Sequence, residues 1–427
     1  MNILLLGSGG REHAIAWKLK QSTRCSKIFI SPGNAGTAQV GVNKSFLITD
    51  FEAIKNCCID ENIDMLIVGP EEPLVKGIVD YLKEDKKLEN LLIIGPSKEA
   101  SQLEGSKAYA KEFMKRHKIP TAGYKEFDAK NFEEGLEYLH NQQLPIVLKA
   151  DGLAAGKGVI ICQNHIEAIS EFELMIQRSK FGEAGKRVVV EEFLDGIELS
   201  VFVLTDGRNY ILLPNAKDYK RIGEKDSGSN TGGMGAISPV PFADDAFMKK
   251  VISKIIEPTV KGLDKDNLEY TGFIFFGLIK VGDEPFVIEY NCRLGDPETE
   301  VILPRLKNDL VELLHAAATK DLKNITIEED SRFASTVVAV SGGYPDEYEK
   351  GIAIHGLHNK ITEPDLYIFH CGTIESNGSI VTNGGRVFCA TALADKLVDA
   401  VQKSKQTIKN IEFDKKYYRR DIGYEFV

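Results

Sequence analysis

Asn2-Ile3-Leu4-Leu5-Leu6 runs straight into Gly7-Ser8-Gly9-Gly10-Arg11-Glu12-His13, with Ile15, Trp17 and Leu19 spaced among polar residues behind it. A short apolar run, a glycine turn and a helical period open a strand–turn–helix unit. The pattern continues outward. Residues 27–30 read as a second strand ended by Ser31-Pro32-Gly33-Asn34, residues 51–58 as a helix, and 64–68 as a strand ended by Gly69-Pro70. Residues 74–82 read as a helix and 91–94 as a strand before Gly95-Pro96. Short strands alternating with helices dictate a parallel sheet covered on both faces. Ligands bind such sheets at the carboxyl ends of the strands, where these turns carry Gly or Pro. Residues 1–103 therefore read as an N-terminal parallel α/β domain with a small-molecule site.

The character changes after Ser106. Residues 107–116 read as a helix and 145–150 as a strand that leads into Asp151-Gly152-Leu153-Ala154-Ala155-Gly156-Lys157-Gly158. Strands are expected at 188–191, 198–204 and 211–214, then a polar loop over 218–235. Residues 272–281 and 285–289 read as an antiparallel pair joined by Gly282-Asp283-Glu284. Residues 104–327 thus form an α+β region, with a mobile lid expected over about 121–190. Glu328-Glu329-Asp330 marks a linker. Strands at 334–340, 352–354, 367–369 and 386–393, with a helix at 395–405, give a small strand-rich C-terminal domain, 328–427. The fold class is α/β and α+β, multidomain.

Composition excludes several functions. The chain has 427 residues, 43% hydrophobic and 27% charged, ordinary values for globular cores. Its net charge is −10, and no basic run is long enough to serve a nucleic acid. Seven cysteines without C-x-x-C spacing fit reduced thiols rather than a disulfide framework. No apolar run reaches the length of a membrane span, and the first strand meets glycine too soon for a signal peptide. A cytoplasmic monomer with no nucleic-acid or membrane partner is expected. The chain ends soon after its last domain, so no fused later enzyme is expected.

Four segments carry chemistry. Gly7-x-Gly9 begins like a dinucleotide fingerprint, but Glu12 stands where the third glycine should be, against a nicotinamide enzyme. What remains is a turn at a helix N-terminus, suited to one phosphate, with Arg11 beside it. The 151–158 loop is not a P-loop: Gly152 and Gly156 are too close, and Gly158 replaces Ser/Thr. Small residues with Lys149 and Lys157 can still close over a triphosphate and exclude water. Glu191-Glu192-Phe193-Leu194 ends an apolar strand whose backbone can hold adenine, with Glu198 nearby as a carboxylate for ribose hydroxyls. In Glu289-Tyr290-Asn291-Cys292-Arg293, strand alternation puts Glu289, Asn291 and Arg293 on one face. Two oxygen ligands at i and i+2 suit Mg²⁺, and Arg293 can neutralise a transferring phosphoryl group.

Taken in order, these segments resemble the ATP-grasp superfamily and, more narrowly, the glycinamide ribonucleotide synthetases. The resemblance also rests on Pro32–Thr37 as a run, Val68-Gly69-Pro70-Glu71, Gln102-Leu103-Glu104-Gly105-Ser106-Lys107, Asn230-Thr231-Gly232-Gly233-Met234-Gly235 and Arg293-Leu294-Gly295-Asp296-Pro297-Glu298. It implies that ATP, glycine and 5-phosphoribosylamine become glycinamide ribonucleotide, ADP and phosphate, through a glycyl phosphate, in purine biosynthesis. It implies ATP-grasp central domains, with ATP held by Lys107, Lys149, Gly156, Lys157, Gly158, Glu191, Glu192, Phe193, Leu194 and Glu198. Mg²⁺ or Mn²⁺ would sit at Glu289 and Asn291. Gly9, Gly10, Arg11, Glu12, Asn34, Gly36, Thr37, Pro70 and Glu71 would line the phosphoribosylamine site. Lys220, Arg221, Gly295 and Pro297 would also meet substrate, and Asp218, Arg293 and Asp296 would act near glycine. Tyr219 departs from a frequent His, Ser229 from a frequent Pro and Leu294 from a frequent Phe. The strand at 272–278 lacks the acidic metal ligand of many ATP-grasp enzymes.

Overall fold

The structure, a computed structural model, describes residues 1–153, 158–178, 180–357 and 363–426. The N-terminal sheet contains β1 (Asn2–Gly7), β2 (Lys27–Pro32), β3 (Val42–Asn43), β4 (Met65–Val68) and β5 (Leu92–Ile94). Its order is β3-β2-β1-β4-β5, with every pairing parallel. β1 is central and β4 is fully buried, so both are continuous apolar runs rather than alternating ones. The chain departs from β1 to one side and later crosses to the other. That switch point lies between β1 and β4, and their carboxyl ends carry Gly7–Gly10 and Gly69–Glu71.

The helix α1 (Gly10–Leu19) starts in that turn. It is buried nearly all round, because it packs against the sheet, helix Thr299–Arg305 and strand Leu366–His370. Lys18 even donates to the Leu306 carbonyl. The single helix expected over 74–82 is two helices, Glu71–Lys76 and Ile78–Lys83. They are broken at Gly77, whose φ of +92° only glycine adopts readily.

Residues 124–192 form a separate layer. Its strands β6 (Tyr124–Asp128), β7 (Ile146–Ala150), β8 (Val159–Cys162) and β9 (Arg187–Glu192) pair antiparallel in the order β6-β9-β7-β8. Helices Phe132–Asn141 and His165–Ile176 pack on the sheet and enclose a core of their own, including Phe127, Leu139, Leu148, Phe172, Met175 and Val190. Phe172 meets Phe127 edge-on at 5.7 Å and stacks on Phe132 at 5.3 Å. Gly135 leaves room for its ring, since a Cβ there would collide with it.

The central sheet is antiparallel, in the order Tyr210–Leu212, Ile197–Thr205, Gly272–Val281, Glu284–Asn291. Opposite Gly277 and Leu278 the register jumps from Glu289 to Val287, leaving Ile288 as a bulge. The bulge re-aims the end of the strand that carries Glu289 and Asn291. A second antiparallel sheet joins Lys217–Asp218 and Gly235–Ser238 to Phe333–Val340, Arg386–Ala394 and Leu366–His370. The segment expected as a polar loop over 218–235 therefore supplies strands to the C-terminal sheet, and between them Arg221–Gly223 pairs with Ser227–Asn230. The strand expected at 352–354 is only an isolated bridge, Ala353 to Val381. One core runs through N-terminal, central and C-terminal parts, with Leu5, Phe202, Val338 and Phe369 in the same cluster. Among the described residues no helix is long and apolar enough to cross a membrane.

His13 ties α1 to the C-terminal sheet. Its Nδ1 accepts the His370 backbone N–H at 2.8 Å, and its ring meets Phe369 edge-on. Burial, helped by His370, pushes the imidazole down to about 3. Below pH 6.5 the unfolded chain therefore binds a proton that the folded chain refuses. Stability falls as pH drops from about 6.5 toward 3. His13→Asn keeps an acceptor and does not titrate. Urea unfolding at pH 7 and pH 4 should show the wild type losing about 3 kcal/mol more than this variant; equal losses would remove His13 as the cause. Phe172→Ala should cost about 3–5 kcal/mol and act within 124–192 alone. Hydrogen exchange should rise in β6–β9 with β1 unchanged; a uniform rise across both would refute a separate core.

Candidate active site

A cavity of about 450 Å³ opens where the carboxyl ends of β1 and β4, the edge of the central sheet, the 124–192 layer and the C-terminal sheet meet. Of the residues expected at a site, it is lined by Arg11, Pro70, Glu71, Lys107, Lys149, Gly158, Glu191, Asp218, Lys220, Glu289, Asn291, Arg293, Gly295 and Asp296. Gly9, Gly10, Glu12, Asn34, Gly36, Thr37, Glu192, Phe193, Leu194, Glu198, Arg221 and Pro297 lie outside that lining. Gly156 and Lys157 lie outside the described residues.

One end is cationic. The Glu191 carboxylate takes Lys149 Nζ at 3.0 Å and Lys111 Nζ at 3.2 Å through the same oxygen. Its other oxygen is buried without a hydrogen-bond partner. Burial pushes Lys111 down to about 8 against the pull of Glu191, and Lys107 is likewise lowered by burial. Lys107 Nζ donates to the Gly152 carbonyl at 3.2 Å, and Lys149 Nζ to the Ile288 carbonyl at 3.3 Å. Three ammonium groups thus crowd one end, an arrangement that a bound anion would relieve. Glu192 accepts the Gly123 N–H at 2.8 Å, and Phe193 is 38% exposed. Glu198 is engaged by Lys220, whose charge holds the carboxyl below its usual range.

Glu289 and Asn291 present oxygen donors only, the chemistry that Mg²⁺ or Mn²⁺ takes. Gly277 faces Glu289 across the pair and leaves room for its side chain; a Cβ there would sit 3.0 Å from Glu289 Cγ. The Asn291 amide nitrogen turns to Glu104 Oε1 at 3.0 Å. Arg293 Nη2 meets the same Glu104 oxygen at 2.7 Å, and its Nε lies 3.4 Å from Glu71. Burial works against the guanidinium charge, but Glu104 and Glu71 outweigh it and hold the group above its ordinary range. Burial pushes Glu104 up to about 7, with Arg293 opposing.

The far end is built from paired charges. Asp296 meets Arg386 Nη1 at 2.9 Å and the Arg11 N–H at 3.5 Å. Arg386 also donates to the carbonyls of Gly232 at 2.7 Å and Asp296 at 2.8 Å. Burial acts against the Asp296 charge, yet Arg386 and Arg11 keep its carboxyl below the usual range. Beneath it Glu300 is fully buried with neither oxygen hydrogen-bonded, and burial and Asp296 push its carboxyl far up from the usual range. Glu298, pushed up to about 7 by burial and Asp218, accepts from Ser200 Oγ at 3.0 Å. Burial likewise raises Asp218, against Lys220 at 3.4 Å.

The glycine turn itself faces inward. Glu12 accepts the Gly9 N–H at 2.7 Å and Arg11 Nε at 2.6 Å, filling the space that Gly7 and Gly69 leave without side chains. Asn34 accepts the N–H groups of Gly36 at 2.8 Å and Thr37 at 2.9 Å and donates to the Ser8 and His370 carbonyls, both at 2.8 Å. A Cβ on Gly36 would collide with the His13 ring. These residues tie the turns together behind the cavity. Sequence reasoning missed Lys111 and Arg386, and named Glu104 and Glu298 only within motifs, without a role. Lys111 lies one helical turn after Lys107, a spacing that signals a shared face. Gly384-Gly385-Arg386 repeats the Gly9-Gly10-Arg11 pattern.

Models of phosphoribosylglycinamide synthetase match the chain in three parts: the N domain over residues 1–104, the ATP-grasp (A) domain over 105–299 and the C domain over 334–425. The phosphoribosylamine–glycine ligase of Haemophilus influenzae is 46% identical over 430 residues, 100% of this chain and 99% of that protein. That of Escherichia coli K12 is 46% identical over 432 residues, again 100% and 99%. The solved phosphoribosylamine–glycine ligase of Thermotoga maritima superposes with a TM-score of 0.85 at 35% identity, over 99% of this chain and 100% of that one. A biotin carboxylase from Campylobacter jejuni, at TM-score 0.72 and 15% identity over 99% and 94%, shares the fold alone. Identity of this extent, unbroken from the first strand to the last helix, makes the chain a member of the phosphoribosylglycinamide synthetase family.

Proposed function

We propose that this chain ligates glycine to 5-phosphoribosylamine at the expense of ATP, giving glycinamide ribonucleotide, ADP and phosphate in purine biosynthesis. The observation that carries the reading is one cavity holding Lys107, Lys149, Glu289, Asn291 and Arg293 together, in a chain 46% identical end to end to phosphoribosylamine–glycine ligases. A glycine carboxylate oxygen bonds to the γ-phosphorus of ATP, the bond to the bridging oxygen breaks, and ADP leaves. The amine of phosphoribosylamine then attacks the acyl carbon of glycyl phosphate, the carbon–oxygen bond breaks, phosphate departs and the nitrogen loses a proton.

Carboxylate and triphosphate repel, so the residues must supply positive charge where they meet. Lys107, Lys111 and Lys149 bind the phosphates, and Arg293 stabilises the phosphoryl group in transfer. Glu289 and Asn291 would hold Mg²⁺ or Mn²⁺, which supplies charge neutralisation to the phosphates. The backbone of 191–194 holds adenine, and Glu198 exchanges Lys220 for the ribose. Asp218 and Asp296 orient glycine, while Arg11 and Glu71 receive phosphoribosylamine. The working units are 1–103, 104–327 with a lid over about 121–190, and 328–427, which contributes Arg386. The enzyme acts on small molecules as a cytoplasmic monomer, without a nucleic-acid or membrane partner.

Phosphate release from ATP and Mg²⁺ should require both glycine and freshly made phosphoribosylamine, with glycinamide ribonucleotide seen by mass. Release with another carboxylate and none with glycine would overturn the substrate. Arg293→Ala should lower kcat about 100–1,000-fold while ADP affinity shifts less than about threefold; equal losses in both would take Arg293 out of the transfer step.

A further inference from the structure

Glu104 lies in the single helical turn Gln102–Gly105, on a different part of the chain from the strand that ends in Asn291. It is 9% exposed. Its Oε1 accepts Arg293 Nη2 at 2.7 Å and, with the Asn291 amide assigned so that its nitrogen faces acceptors, that amide at 3.0 Å. Its Oε2 accepts the Cys292 backbone N–H at 2.7 Å. One carboxylate therefore grips three consecutive residues at the point where the strand gives way to the Gly295-Asp296-Pro297 turn. The Cys292 thiol meets the carbonyls of Ala100 at 3.8 Å and Ser101 at 3.9 Å, so the same helical segment holds this strand end from a second direction. The other acid near Arg293, Glu71, sits 3.4 Å away, and Arg293 Nε has no hydrogen-bonded partner. Glu104 is the fixed anchor and Glu71 the loose one.

We infer that Glu104 is the positioning residue of the transfer site: it sets the spacing between the metal-ligating amide of Asn291 and the guanidinium of Arg293. An arginine has four side-chain torsions, and a displacement of about 1 Å at a reacting centre costs roughly 100-fold in rate. With Glu104 removed, Arg293 keeps Glu71 and the Leu294 carbonyl, which its Nη1 reaches at 3.3 Å, and its guanidinium swings toward Glu71. The inference rests on the ligase reading for its kinetic assay, and the structural arm below stands without it.

Glu104→Gln isolates the role. It keeps the volume and can still accept the Cys292 N–H, but its NH₂ then faces the donors of Arg293 and Asn291. In the full chain, kcat should fall about 30–100-fold, while the Kd for ADP with Mn²⁺ and the KM for ATP change less than about threefold. A crystal structure of the variant should show the Arg293 guanidinium turned toward Glu71. Wild-type kcat, an unmoved Arg293, or equal losses in kcat and ADP affinity would each overturn the inference. Should Glu104→Gln fail to fold, Glu104→Asp decides. Its carboxylate is one methylene short of spanning all three contacts, so kcat should fall with ADP affinity kept, and unchanged kcat would overturn the inference. A wild type that releases no glycine-dependent phosphate would fail the ligase reading alone, leaving the position of Arg293 in the variant crystal to judge Glu104.

Discussion

Arg293 carries a charge into a place where burial alone would strip it, and two carboxylates keep it there. Taking a guanidinium out of water costs several kcal/mol unless partners replace its hydration in good geometry. Those partners come from Glu71, after β4, and Glu104, in the helical turn Gln102–Gly105 that follows β5. The N-terminal sheet and the strand that carries Glu289 and Asn291 are thus fixed to each other by a charge that neither could bury alone. Arg386 repeats the device, bringing the C-terminal sheet onto Asp296. Arg11 does so from α1, through Glu12 and the Leu294 carbonyl at 3.1 Å. Three guanidiniums from three parts of the chain converge on the same short turn after Asn291.

That convergence explains how the glycine turn is used. In a dinucleotide site the free N–H groups of such a turn await a phosphate. Here the Glu12 carboxylate already occupies one of them, and Asn34 closes the neighbouring turn onto Ser8 and His370. Glycine is required because side chains of the same protein press against these positions. The turn is a joint between domains, and Arg11 is the part of it that reaches the cavity.

The sequence was most legible where local physics decides. Apolar runs that end in glycine located β1, β2, β4 and β5, and spacing at i and i+2 brought Glu289 and Asn291 into one cavity. It was least legible where distant segments meet. Glu104, Glu298 and Arg386 stand in no local pattern that announces charge pairing, and only tertiary packing brings them to Arg293, Asp218 and Asp296. Residues 218–235 looked like a loop because their polar, glycine-rich sequence lacks strand alternation, yet Arg221–Gly223 and Ser227–Asn230 within it pair through backbone hydrogen bonds, and at its end Gly235 enters the buried strand Gly235–Ser238 beside Phe333–Val340. Asn34, Gly36 and Thr37 close a tight joint between turns, which short polar side chains and glycine suit.

Charge balance ties the joint to the chemistry. Among the described residues, seven basic and seven acidic side chains line the cavity of a chain whose net charge is −10. The cavity is therefore poised near neutrality while the surface is acidic. Two of the acids, Glu104 and Glu298, are pushed up to about 7 by burial, so the lining can gain positive charge by taking protons. A bare triphosphate would add about four negative charges to such a site, and in a low-dielectric cavity that excess costs far more than at the surface. A divalent cation entering with it cuts the excess to about two, and a proton on Glu298 can absorb part of the remainder. The three lysines at one end fix where that charge would lie, and Glu191, the carboxylate that Lys111 and Lys149 share, is the group a phosphate would displace. An acidic protein can thus hold an anionic ligand, because its cavity is balanced in charge and the excess of acids lies outside it.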